Sequence, residues 1–133
     1  MTSARTVLRP LVAAGFAGMG VTHFVPSVAK GMSAMIPPEI RRRSPVRAKT
    51  LVRLTGLCEI AGGVGLLVRP TRPAAAAALV VFLAAVFPAN AYAARDPERF
   101  GATAVPLVPR AAAQVVLAAL VAVAGTSARA VSR

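Results

Sequence analysis

Ionisable residues fall in clumps along this chain and leave four long apolar windows. Between Arg9 and Lys30 the only ionisable side chain is His23; between Arg53 and Arg69 there are Cys58 and Glu59; between Arg72 and Arg95 only Tyr92; and between Arg110 and Arg129 none. A helix rises ~1.5 Å per residue, so windows of this length match a hydrocarbon core ~30 Å thick. Cations at the window edges match the headgroup layers. The pattern predicts an all-α protein: a transmembrane four-helix up-down bundle in one domain over residues 1–133, with spans at about 8–24, 49–68, 74–94 and 110–125.

The segments between the windows carry their own signals. Pro26 breaks the first helix, and Val28, Met32, Met35 and Ile36 then recur at i, i+4, i+7 and i+8. That stripe predicts a short helix lying in the membrane interface, ended by Pro37 and Pro38. "EIRRRSPVRAKTLVR" reads as a basic loop against anionic headgroups. "RPTRP", from Arg69, is a tight turn that makes the second and third spans antiparallel neighbours, and Pro88 inside the third predicts a kink. "ARDPERFGATAVPLVP" reads as a turn-rich loop. Arg5, Arg9 and the small-x-small Ser27-Val28-Ala29 also fit a cleaved signal peptide, but three further spans would hold the chain in the bilayer regardless.

Composition agrees with a membrane protein. The apolar share is 56%, the mean hydropathy is +0.67 and Trp is absent; soluble domains are less apolar. A net charge of +12 would suit nucleic acid, but once the spans are assigned no basic globular body remains, so no nucleic-acid partner is expected. One cysteine allows no internal disulfide. One histidine and four acids do not assemble a usual zinc site, so no intrinsic metal is expected. Loop charge sets an expected orientation. Arg5, Arg9, Arg69, Arg72, Arg129 and Arg133 fall on one side, whereas Lys30, Arg41, Arg42, Arg43, Arg47, Lys49, Arg53, Arg95, Arg99 and Arg110 fall on the other. The more basic side belongs in the cytoplasm, which places both termini outside.

Each span holds one conspicuous polar residue: His23, Glu59, Asn90 and Gln114. In an up-down bundle all four occupy the same half of the bilayer, where they can meet. Glu59 is the costly one, since an ionised acid at mid-membrane costs roughly 2.5–3.5 kcal/mol. A protein partner, a protonated neutral form or a water-filled pocket would each compensate. Thr55, Gly56, Gly62 and Gly63 share the face of Glu59 at i±3 and i±4, and small residues admit a neighbouring backbone. These positions predict that Glu59 faces the interior within reach of His23, Asn90 or Gln114. The expected ligand-binding cluster is His23, Thr55, Glu59, Asn90 and Gln114; simple interhelical hydrogen bonding is the plainer role for the same residues.

"THFVP" from Thr22, "IPP" from Ile36, "LTGLCEIAGGVGLLVRPTRPAA" from Leu54, "FPAN" from Phe87 and "RAAAQ" from Arg110 together resemble the DoxX family of small four-span bacterial membrane proteins. The resemblance carries His23, Pro26, Gly56, Glu59, Pro88, Asn90, Arg110 and Gln114 into that family's characteristic positions. Pro26, Gly56, Pro88 and Arg110 among these, together with Gly62 and Gly63 on the face of Glu59, are expected to be structural residues. It departs after Arg110, where three alanines stand in place of a Pro-Leu-containing motif. The resemblance implies association with membrane redox complexes, since the family is named for subunits associated with a thiosulfate:quinone oxidoreductase. The function expected is an accessory or scaffold component of a membrane complex, without catalysis of its own, partnered by the lipid bilayer and by membrane redox proteins or further copies of itself. The alternative is a quinone-interacting oxidoreductase subunit, with His23 and Glu59 donating to a quinone carbonyl. A transporter ranks below both, for want of charged rings or discontinuous repeats.

Overall fold

The computed structural model describes residues 3–127, which contain helices and no strand. In chain order these are α1 (Ala4–Thr22), α2 (Pro26–Met35), α3 (Pro38–Arg43), α4 (Ala48–Leu67), α5 (Arg72–Ala94), α6 (Pro97–Phe100), a 3-10 turn (Gly101–Thr103) and α7 (Leu107–Gly125). The four long helices form a ring in which α1 packs on α4, α4 on α5, α5 on α7, and α7 back on α1. Neighbours run antiparallel. Arg9, near the start of α1, reaches Ala124 at the end of α7, and His23, just past the end of α1, reaches Val52 at the start of α4.

Buried positions explain the ring. On α4 they are Val52, Gly56, Glu59, Gly62, Gly63 and Leu66, and on α5 they include Arg72, Ala76, Leu79 and Leu83, spacings of three and four that make one stripe on each helix. Much of the α4 stripe is glycine, so its partners approach to backbone distance. A Cβ on Gly56 would lie 2.7 Å from the Gly20 carbonyl oxygen and 2.6 Å from His23 Cβ, and one on Gly63 would lie 2.7 Å from the Ala13 carbonyl oxygen. Gly62 is filled instead by the Leu79 side chain of α5. Above this seam Val12, Ala13, Phe16, Leu66, Ala75, Ala76, Leu79, Leu83, Val121 and Ala124 form the main apolar core.

Helices α4, α5 and the stretch Pro97–Gly125, which ends in α7, are long and apolar enough to cross a membrane. Helix α1 reaches that standard only together with α2, from which it is bent by 94°. The bend has a local cause. Phe24 and Val25 donate to the carbonyls three residues back, Pro26 has no N–H with which to continue, and Val25 before it is extended. Proline at its first position then starts α2.

Three connecting segments carry more structure than the sequence pattern predicts. Helix α2 packs on the bundle: Ala29 and Ile36 are buried with Val52, and Met32 packs against them, so α2 folds back onto α4. The basic loop contains helix α3, with Glu39 in its first turn and Arg41, Arg42 and Arg43 in its last, charges placed to suit the helix dipole. The loop before the last span likewise contains α6, capped by the Asp96 carboxylate accepting from the Arg99 N–H (3.0 Å). Pro88 lies within α5 without ending it. Of the cations used to set the orientation, Arg129 and Arg133 lie outside the described residues.

Substituting Gly56→Leu should force α1 away from α4 and destabilise the protein by about 1–3 kcal/mol or more. Gly15→Leu, where nothing lies within 4 Å of the new Cβ, should be nearly silent. Thermal unfolding of both variants in detergent checks the contrast.

Candidate functional site

The close α1–α4 approach brings two helix-borne side chains together. His23 is the C-cap of α1, and its ring crosses to α4. Its Nδ1 lies 2.8 Å from the Val52 carbonyl oxygen and 3.0 Å from Thr55 Oγ1, and the Thr55 hydroxyl donates to the same carbonyl at 2.7 Å. A carbonyl can only accept, so Nδ1 carries the proton. The second ring nitrogen, Nε2, then faces Glu59 Oε2 at 2.9 Å. The oxygen lies off the axis of a ring N–H, and Oε2 makes no well-directed hydrogen bond.

Both residues are buried, His23 at 8% exposure and Glu59 at 7%. Taken out of water, the carboxyl has the imidazole as its polar neighbour, and a buried acid is tolerated where such a partner stands beside it. An imidazole and a carboxyl this close are groups between which a proton can be exchanged.

Asn90 and Gln114 form a different pair on the α5–α7 seam. Asn90 Nδ2 donates to Gln114 Oε1 at 3.3 Å, and Gln114 Nε2 donates to the Leu83 carbonyl. The expected single cluster is therefore divided. His23, Thr55 and Glu59 meet; Asn90 and Gln114 meet; and no hydrogen bond links the two groups among the described residues. Each adjacent antiparallel pair can align its own polar residues, but α1–α4 and α5–α7 occupy opposite sides of the ring. Of the expected structural residues, Gly56 and Gly63 line the α1–α4 seam, Gly62 receives Leu79, Pro26 begins α2, and Arg110 donates to the Thr103 carbonyl at 2.6 Å.

Two arginines that look like ordinary flanking charges have positions of their own. Arg72 is buried, and its Nε and Nη2 donate to the Leu66 and Leu67 carbonyls at 3.0 and 3.3 Å, closing the end of α4. Arg9 closes the end of α7 through Ala124 and Thr126 at 2.8 and 2.9 Å. The last carbonyls of a helix need donors, and an arginine at the start of the antiparallel neighbour lies within reach.

Residues 12–128 match a protein-family model described as Domain of unknown function (DUF8561). The chain belongs to that family. No match was found among curated proteins or solved structures. This family overturns the DoxX resemblance, and the redox association loses the support that the resemblance gave it. The quoted motifs are short runs of polar, proline and small residues, which packing and turns in a helical membrane bundle favour for physical reasons alone.

In this DUF8561 protein, Glu59→Gln should remain folded to within about 1 kcal/mol, because the amide can donate to Nε2. Glu59→Leu leaves Nε2 unpaired and should cost about 1–3 kcal/mol. His23→Ala strands the carboxyl and should cost about 3–5 kcal/mol. A double-mutant cycle on thermal or denaturant unfolding in detergent should return a coupling between positions 23 and 59, and none between 59 and 114.

Proposed function

We propose that this DUF8561 protein is a four-span integral membrane protein, in which α1, α4, α5 and α7 cross the bilayer as an up-down bundle. Within the membrane it acts as an accessory or scaffold component of a larger assembly. The supporting observation is inverted polarity: His23 and Glu59 are buried, while Leu11, Val81 and Val115 are 65–69% exposed. In water that arrangement wastes apolar surface; in lipid it places each group in its preferred surroundings. A non-catalytic role fits the packing, because the dyad lies in a seam closed by the backbones of Gly20 and Gly56 and serves to fix α1 against α4. The partners of this reading are the surrounding lipid together with another membrane protein or a second copy of the chain.

The quinone-interacting reading retains one observation in its favour, the 2.9 Å approach of His23 Nε2 to Glu59 Oε2. A group that holds one proton at that distance can deliver it to a carbonyl, with electrons supplied by a partner subunit.

Purification in mild detergent, with mass spectrometry of copurifying proteins, should recover the protein from the membrane fraction with a stoichiometric partner or as a homo-oligomer. The Glu59→Gln variant should recover the same assembly. Release from membranes by alkaline carbonate would sink the integral-membrane reading, and a monomer without a partner would sink the scaffold. Extractable quinone bound to the parent and lost from an otherwise intact Glu59→Gln assembly would transfer support to the second reading.

A further inference from the structure

The end of the bundle that gathers the start of α1, the α4–α5 turn and the end of α7 forms an open concavity of about 530 Å³ lined by Arg5, Arg9, Arg69 and Arg72, with the hydroxyl residues Ser3 and Thr6 beside them. We propose that this concavity is a binding site for a phosphate-bearing anion.

Two of the four guanidiniums are fixed in place. Arg72 is anchored to the Leu66 and Leu67 carbonyls and Arg9 to those of Ala124 and Thr126. The anchoring employs Nε and Nη2 and leaves Nη1 of each without a partner among the described residues. Arg5 and Arg69 make no hydrogen bond there, and their charges, with that of Arg72, bear directly on Arg9.

No carboxylate offsets these charges among the described residues. Glu39 pairs with Arg42 and Glu59 with His23. Glu59 lies eight residues before Leu67, about 12 Å along the helix, while Glu39, Asp96 and Glu98 belong to the connections at the other end of the bundle. Four cations converging on one concavity, two of them held rigid, with free N–H groups and hydroxyls around it, form a receptor for a multiply charged tetrahedral oxyanion. Guanidinium forks match phosphate geometry, and prior anchoring lowers the ordering cost of binding. In a bilayer this end lies at headgroup depth, so the phosphate could belong to a lipid or to a free phosphate compound.

The test uses the full chain in nanodiscs of phosphatidylcholine or phosphatidylglycerol, with inorganic phosphate titrated into the former and thermal unfolding as the readout. Parent protein should melt at a higher temperature in phosphatidylglycerol or with phosphate. R5Q/R69Q removes two unanchored cations and should fold, yet need at least about tenfold more of the stabilising probe. R41Q/R42Q/R43Q removes three cations at the opposite end and should respond like the parent. A response to phosphate in phosphatidylcholine identifies a site open to free phosphate, and a response to phosphatidylglycerol alone identifies a headgroup site; both support the proposal. Absence of any response, or equal responses from parent and R5Q/R69Q, overturns it, as does equal loss in R41Q/R42Q/R43Q, which would reduce the effect to overall charge.

Discussion

Helices α1 and α4 touch backbone to backbone at Gly20 and Gly56, and much of the remaining structure depends on that closeness. A Cβ on Gly20 would lie 2.6 Å from the Gly56 carbonyl oxygen, and a Cβ on Gly56 would lie 2.7 Å from that of Gly20. With both side chains absent, the imidazole at the end of α1 spans the gap, engages the Val52 carbonyl and meets Glu59. The bend at Pro26 follows three residues after His23, and the closeness of α1 to α4 lets α2 return over Val52. Wider separation at this point would leave a buried acid unpartnered and α2 without the Val52 surface beneath it.

A second constraint is that polar groups away from water need partners within the protein. The partners are brought together here two at a time. His23 serves Glu59, Asn90 serves Gln114, and Arg9 and Arg72 serve the carbonyls at two helix ends. Pairing between adjacent helices needs only local register, whereas a network of four would require all helices to converge at one depth and one point. The ring packs its centre with Leu66, Leu79 and Val121 instead, each essentially inaccessible. Basic residues consequently divide into those that close helix ends, those that line the concavity at the terminal end, and exposed ones such as Arg41 and Arg43.

Family membership adds a limit to motif reading. Thr-His-Phe-x-Pro, a Gly-x-x-Glu in a glycine-rich helix, and Pro-x-Asn serve a helix-ending bend, a close seam with a buried acid, and an interhelical amide pair in this architecture. Short motifs of this kind follow from packing and turns in closely packed helices, so by themselves they do not assign a family.

Sequence by itself determined the four long helices, their approximate ends, the antiparallel turn at "RPTRP", the break at Pro26 and the interior placement of Glu59. Each depends on local chemistry or on a periodicity carried within one segment: apolar run length, proline's missing N–H, and glycines at the i±3 and i±4 positions around an acid. Only the tertiary structure decided that His23 rather than Asn90 or Gln114 answers Glu59, that α2 packs on α4, and that Arg9 and Arg72 close helix ends beside Arg5 and Arg69. Those outcomes depend on which helices adjoin around the ring and how each is rotated about its axis, quantities set by contacts between segments tens of residues apart and absent from the spacing within any one of them.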